Sequence, residues 1–277
     1  MMDPAAEQRS RRRAGLGLAG ILLSLLAVVG VVAALVIARN VTAPPNTPQH
    51  QAPPGASVDA GPATEPGWDV AAQRALALRP MLVLPAEAAQ PRELTTQTAG
   101  PDIPLPAPAE TVGRWIPGGF PRTPEGALAQ LKAFNETGVQ GGDPAIYARA
   151  YAEMSLPGAP VVERTGLHTL LTSFRKRVGI AAGETMPGLS VRYEATHGLI
   201  KGSTDEGRYV VVCTLGQLSF DYKGQTIALG VGDCQALRWT GTAWRISPGV
   251  QAALASNAWP GSLEAVKAGY RALGGGA

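Results

Sequence analysis

The sequence predicts an α+β domain that is held to a membrane by a single N-terminal helix. Three observations carry this prediction. An apolar run without a charged residue occupies residues 14–38. Segments with apolar residues at helical spacing follow one another from residue 123 to 178, and segments with the composition of β-strands follow from 189 to 246. Because the helices come first and the strands later, instead of alternating, the order favours α+β over α/β.

The apolar run, Ala14–Ala38, is long enough to cross a bilayer. As a helix it would extend about 37 Å, whereas the hydrocarbon core of a bilayer is about 30 Å thick. Four arginines precede it: Arg9, Arg11, Arg12 and Arg13. By the positive-inside rule they place residues 1–13 in the cytoplasm and the chain beyond the run on the outside. We therefore expect a single-pass protein of the cytoplasmic (inner) membrane.

A cleaved secretory signal is one alternative for this run, and a fully buried helix of a soluble domain, which would be more apolar than any other segment, is another. Val41-Thr42-Ala43 loosely matches a cleavage site. The apolar core of a signal peptide is usually about 7–15 residues long, however, and Pro44 would stand directly after the cut. The length of the run therefore favours an uncleaved anchor.

The part of the chain beyond the run is nearly neutral. The formal net charge of the 277 residues is +3, and the N-terminal tail alone holds four arginines. A surface that binds nucleic acid needs a basic patch. We therefore expect no direct contact with nucleic acid.

Two segments of different character separate the run from the predicted domain. Residues 39–67 are rich in proline and poor in large apolar residues, which is typical of a flexible linker. Residues 68–122 carry large apolar side chains among their prolines, and Val70–Leu78 has the composition of a short helix. We expect residues 68–122 to form an irregular arm that packs on the domain or on a partner chain. Plain disorder is the alternative.

The domain is predicted to span residues 123–277 and to begin with three helices. Thr123 is suited to cap the first helix, and Pro124 fits its first position. Asp143-Pro144 repeats this start signal for the second helix. The third is predicted over Val162–Val178, which has one apolar face and is followed by Gly179 as a stop.

Strands and one further helix are predicted after the three helices. The strands form an antiparallel meander, with turns that contain glycine between them: Leu189–Ile200, Arg208–Tyr222, Thr226–Trp239 and Ala243–Ile246. A last helix is predicted over Ser262–Leu273, capped by Ser262 and ended by Gly274.

The two cysteines of the chain, Cys213 and Cys234, are predicted to form a disulfide. If Lys223-Gly224 is a two-residue hairpin loop, the strands that it joins place these cysteines opposite each other. Counting from the hydrogen-bonded pair next to the loop, they occupy a pair of the non-hydrogen-bonded type, in which side chains approach most closely. An extracytoplasmic compartment permits the bond. The alternative is two small thiols that pack in the sheet.

No strong catalytic or metal-binding pattern is present. The sequence lacks a GxSxG elbow, a Walker loop and an HExxH motif. His168 and His197 are isolated, which is a poor basis for a metal site. Asp233 is a candidate general base only if it faces a pocket. We predict no catalytic, cofactor-binding or metal-binding residue.

Four stretches of the sequence are distinctive: GFPRTPEGALAQL (Gly119–Leu131), GLIKG (Gly198–Gly202), VGDCQALRW (Val231–Trp239) and the tail Trp259–Tyr270. They resemble stretches in a group of proteins of actinobacterial conjugative elements. The predicted order of helices and curved sheet resembles the nuclear-transport-factor-2-like cone. With a cytoplasmic tail, one span and a spacer, it also resembles the bitopic inner-membrane assembly component of type IV secretion systems. That component is the eighth VirB component, with its Gram-positive relative TcpC.

This resemblance implies a non-enzymatic scaffold in a DNA-transfer apparatus. The extracytoplasmic domain would dock other secretion-channel subunits, and we expect a homo-oligomer without a cofactor. Two alternatives use the same fold. One is an isomerase or cyclase with Asp233, His197 or Tyr193 in the cone pocket. The other is an anchored module that binds a lipid or a small molecule.

Overall fold

The computed structural model describes residues 67–181 and 183–275. The predicted cytoplasmic tail and the membrane helix at 14–38 lie outside the described residues, as does the linker up to residue 66. Within the described ranges, no helix is long and apolar enough to cross a membrane.

The described residues form an α+β domain, as the sequence predicts. The helices are α1 Val70–Leu78, α2 Pro124–Gly138, α3 Pro144–Met154, α4 Gly166–Val178 and α5 Leu263–Lys267. The strands are β1 Ile103–Leu105, β2 Leu189–Thr204, β3 Tyr209–Tyr222, β4 Gln225–Trp239, β5 Trp244–Ile246 and β6 Arg271–Gly275. They form one sheet in the order β1-β6-β2-β3-β4-β5, which curls into a half-barrel.

The helices start where side-chain caps satisfy their first amides. The Thr123 side chain accepts a hydrogen bond from the Gly126 amide at 3.0 Å, and Asp143 Oδ1 accepts one from the Ala145 amide at 2.9 Å. Both predicted starts are therefore confirmed. The third helix starts later than predicted, because Val162–Arg164 is a single 3-10 turn and the Thr165 hydroxyl caps α4.

The hairpin of β3 and β4 has the predicted register. Tyr222 lies opposite Gln225, and the pairing continues without a bulge to Cys213 opposite Cys234. The two cysteines form a disulfide across the strands, with their Cα atoms 4.0 Å apart. This short separation is the one expected of a non-hydrogen-bonded pair.

The prediction for the C-terminus is wrong in part. Ser262 caps a helix as expected, but α5 ends at Lys267 instead of continuing to Leu273. Gly269 then adopts φ 88°, which turns the chain back toward the sheet. Residues 271–275 pair as β6 with β2 on one side and with β1 on the other. The sheet thus has six strands, whereas the sequence predicts four.

The sheet carries an apolar layer on each face. Helices α2, α3 and α4 fill the concave face with a large core that includes Phe134, Tyr147 and Leu171. The opposite face is covered by α1 and by the chain between residues 250 and 270. The arm at 68–122 contributes to both layers, since Ala77 lies in the second and Ile103 in the first. The arm also supplies α1, with the bounds at which the sequence indicates a short helix, and β1, which the sequence does not predict.

Candidate functional site

A carboxylate lies inside the concave core. Asp233 on β4 is 4% exposed and faces α2. Asn135 Nδ2 donates a hydrogen bond to Asp233 Oδ2 at 3.1 Å, and Gln235 Nε2 donates to both carboxylate oxygens at 3.1 and 3.2 Å. The same Asn135 amide group donates to Thr214 Oγ1 at 3.0 Å. These four side chains are called the polar cluster below.

Tyrosines surround the polar cluster. The Tyr193 hydroxyl donates to the Val231 carbonyl at 3.0 Å and lies 3.4 Å from Thr214 Oγ1. The Tyr147 hydroxyl approaches Thr165 without making a hydrogen bond of normal geometry. Burial raises the pKa of both phenols far above their usual range. Both tyrosines are therefore neutral at physiological pH.

The pKa of Asp233 is raised as well. Burial raises it to about 6, and the hydrogen bonds from Asn135 and Gln235 limit the rise. A carboxyl group with this pKa could in principle act as a base near neutral pH. The interior leaves little room for a substrate, however, because Phe134, Tyr147 and Tyr151 are buried beside it. The polar cluster is therefore better suited to a structural role in the core than to catalysis.

The sheet separates the other two residues that the sequence offers for a cone pocket. Tyr193 lies at the polar cluster and is connected to Asp233 through Thr214 and Asn135. His197 lies near Gly261 on the opposite side of the sheet, with Nδ1 3.0 Å from Thr196 Oγ1. Burial lowers its pKa. Among residues 67–181 and 183–275, no group of three or more His, Cys, Asp or Glu side chains could hold a metal ion.

The first open cavity lies beside the outer edge of β4 and is called the edge cavity. It has a volume of about 210 Å³. Its walls are the arm from Pro80 to Ala86, Leu170 of α4, Leu229–Val231 of β4 and the segment Ala253–Asn257. None of these lining residues is charged. At its rim, Leu82, Val83 and Leu254 are 47%, 69% and 40% exposed.

The second open cavity, the aromatic groove, lies between the arm and α2. It has a volume of about 500 Å³, and Trp115 and Phe120 form part of its wall. The α2 side of the groove includes Lys132, Ala133 and Thr137. The Arg149 guanidinium lies 4.0 Å from the centre of the Trp115 ring. Neither open cavity is lined by Asp233 or by His197.

A further cluster, which sequence reasoning missed, fixes the start of the arm. The guanidinium groups of Arg208 and Arg238 both lie over the Trp68 ring, at 4.4 and 4.0 Å from the ring centre. Asp205 Oδ1 accepts a hydrogen bond from the Asp69 amide at 2.7 Å. Burial opposes the ionisation of Asp205, but its hydrogen bonds outweigh this and lower its pKa. We call this arrangement the Trp68 clamp. In the sequence, Asp205 has only the pattern of a solvated turn residue.

No protein-family model matches this chain, and comparison with curated proteins and with solved structures finds no significant match.

Proposed function

We propose that this protein is a membrane-anchored structural subunit of a conjugative type IV secretion apparatus. In this proposal the chain crosses the inner membrane once, with its N-terminus inside. The extracytoplasmic domain has the nuclear-transport-factor-2-like form and docks other channel subunits. The protein is not an enzyme and uses no cofactor.

One contrast within the domain carries the proposal. The ionisable group inside the curled sheet, Asp233, is enclosed by side chains, whereas the open cavities lie on the surface and have mainly apolar walls. An enzyme of this fold would need the reverse arrangement, with an open interior that leads to a base. Surface apolar cavities with exposed leucine and valine at the rim are typical of protein–protein contacts.

Two further observations are consistent with the proposed location. The Cys213–Cys234 disulfide is a bond that oxidising compartments favour, and it connects the two long central strands. The Trp68 clamp holds the start of the domain directly after the predicted linker. A chain that is anchored at its N-terminus would thus suspend a rigid domain at a defined point.

Deletion of the gene tests the function, with transfer of the conjugative element as the measurement. We expect transfer to be lost and to return when the full chain is supplied from a plasmid. Normal transfer without the gene would reject the assignment.

A matched pair of variants tests whether the aromatic groove takes part in docking. Thr137 lines the groove on α2, and Ala152 is an exposed residue of α3 that lines neither open cavity. Thr137→Arg introduces bulk and charge into the groove, so we expect it to reduce transfer. Ala152→Arg adds the same side chain elsewhere and should not. A photo-crosslinking amino acid at position 137, but not at 152, should capture channel subunits.

The size of the aromatic groove favours a second candidate function, the binding of a lipid or another small apolar molecule. Pockets for small molecules usually measure about 300–1,000 Å³, and the groove has about 500 Å³. Native mass spectrometry of the full chain would then show a bound small molecule. Thr137→Arg should remove it, and an adduct that persists in this variant would exclude the groove.

A further inference from the structure

The outer edge of β4 has unpaired main-chain groups. In the β3–β4 ladder, alternate residues of β4 bond to β3, and the residues between them point outward. The Trp239 amide bonds inward to the Arg208 carbonyl at 2.8 Å. The Ala236 carbonyl bonds outward to the Ser247 amide at 2.9 Å, and the Gly232 amide bonds outward to Asn257 Oδ1 at 2.9 Å.

By the same alternation, Thr226, Ala228 and Gly230 direct their N–H and C=O groups outward. Strand β5 pairs only with Leu237–Trp239 and does not reach them. Within the described part of the chain, these outward groups have no hydrogen-bond partner. Gly230 is buried and lines the edge cavity. Because buried main-chain groups are nearly always paired in folded proteins, this position calls for a partner.

Three other edge positions of the sheet are protected. At the Ala195 bulge of β2, the amide donates to Glu136 Oε1 at 2.9 Å and the carbonyl accepts from Lys132 Nζ at 3.0 Å. Strand β1 has Pro104 at its centre. On β5, the Ile246 carbonyl is bonded to the Leu156 amide at 3.0 Å. These are devices by which proteins prevent unwanted strand pairing.

Between Thr226 and Gly230 the β4 edge lacks such protection. From residue 225 to 232 it has neither a charged residue nor a proline. An edge of this kind either aggregates or receives a strand. The uncharged edge cavity beside it is suited to take a side chain from that strand.

We propose that the outer edge of β4 at Thr226–Gly230 binds an extended, uncharged segment of a partner protein as an additional strand. The segment pairs with the outward main-chain groups and places an apolar side chain in the edge cavity. Thr226 and Gly230 are about 13 Å apart along the strand, which corresponds to about five residues of the partner. An apolar cavity of about 150 Å³ holds benzene, so the 210 Å³ cavity has room for a side chain of the size of leucine or phenylalanine.

Two other occupants fit less well. The chain's own segment at 39–66 is rich in proline and therefore poor in the N–H groups that a ladder needs. The edge of a second folded copy would have to enter a cavity walled by the arm, α4 and residues 253–257. A single extended segment is narrower than a folded edge and needs to place only one side chain between these walls.

Strand addition would be the way in which the proposed structural subunit docks a partner. The inference rests on the proposed function only for the identity of that partner as a channel subunit. The two are tested separately. Loss of element transfer tests the function, whereas binding to the purified chain tests strand addition.

The binding experiment uses the full chain in lipid nanodiscs and a phage-displayed library of random twelve-residue peptides. We expect enriched peptides with uncharged, apolar residues at alternate positions. Ala228→Pro removes an outward N–H without breaking a bond to β3, so we expect the affinity for a selected peptide to fall about tenfold or more. Ala228→Thr keeps the N–H and serves as the control, with an expected change of less than about twofold.

N-methylation of the selected peptide provides a test that does not alter the protein. Methylation at alternate residues should abolish binding to the unaltered chain, and methylation at the residues between them should not. This pattern remains informative if Ala228→Pro fails to fold, which thermal unfolding would reveal.

Three results would overturn the proposal. The first is that selection on the unaltered chain enriches no peptide beyond those that selection on the Ala228→Pro variant also enriches. The second is equal affinity of a selected peptide for the two variants, or equal effects of methylation at both sets of positions. The third is self-association of the full chain that Ala228→Pro abolishes while no peptide binds, which would make a second copy the occupant.

Discussion

The buried carboxyl group of Asp233 should make the stability of the domain depend on pH. Burial raises its pKa from 3.8 to about 6 in the folded chain. The folded state therefore binds this proton more tightly than the unfolded state does. Between about pH 4 and pH 6 the free energy of unfolding should fall as the pH rises. Protonation of Asp233 contributes its full stabilisation of the folded state below about pH 4, and this contribution is lost above about pH 6.

The size of the effect follows from the shift. Each unit of pKa corresponds to about 1.4 kcal/mol, so a shift of about two units corresponds to about 3 kcal/mol. Asp233→Asn stays neutral at every pH, so this variant should lack the slope. At pH 7 the variant should be at least as stable as the wild type, by up to about 3 kcal/mol. Asn135 Oδ1 is buried without a partner, and a rotated Asn135 amide could accept a hydrogen bond from the new side chain.

Urea unfolding between pH 4 and pH 8 measures the effect. Tryptophan fluorescence is a suitable signal, since all five tryptophans lie within the described ranges. The other carboxylates also make the free energy of unfolding depend on pH, equally in the wild type and in Asp233→Asn. The difference between these two chains therefore isolates the effect of Asp233. Asp221→Asn, at a partly exposed carboxylate, is the matched control and should retain the slope. Parallel curves for the wild type and Asp233→Asn would refute the reasoning.

Three other perturbations have defined outcomes. Replacement of Cys213 and Cys234 by serine, or reduction of the bond, should lower the free energy of unfolding by about 3 kcal/mol for the 21-residue separation; an unchanged urea midpoint would contradict this. Arg175 forms a buried ion pair at 3.1 Å with the aspartate that caps α3. Its replacement by methionine should lower stability by about 3–5 kcal/mol, whereas the exposed Arg177→Met should have almost no effect in the same urea titration. Trp68→Ala should release α1 and weaken its attachment by about 1–2 kcal/mol, seen as faster amide exchange of α1; unchanged protection would argue against the clamp.

Local chemistry explains why much of the fold could be predicted. The caps at Thr123 and Asp143 act within two or three residues, so the sequence alone places both helix starts. A two-residue turn at Lys223-Gly224 fixes the register of an unbroken hairpin, and this register determines the disulfide. In each case the partners are near in sequence or are connected by a regular ladder.

The errors arise where partners are far apart in sequence. The residues of β6 have no strand pattern of their own, and pairing with β1 and β2 makes them a strand. Likewise, Asp205 has the pattern of a solvated turn carboxylate, yet it bonds to the amide of Asp69, 136 positions away. The polar cluster requires Asn135 and Asp233 to meet across 98 positions. Periodicity and spacing carry no information on such contacts.

The position of the Trp68 clamp bears on how the β4 edge could be used. Arg238, which contacts Trp68, lies on β4, the strand whose other half has the unpaired groups. Along this strand Gly230 is about 26 Å from Arg238, and Thr226 is about 40 Å away. The proposed linker would therefore join the domain at one end of β4, and the proposed partner would bind toward the other. Because the tether and the accepting edge do not overlap, the domain could stay anchored while it receives a strand. A shorter linker should consequently reduce transfer by limiting the reach of the domain, while the affinity of the isolated chain for a selected peptide should stay the same.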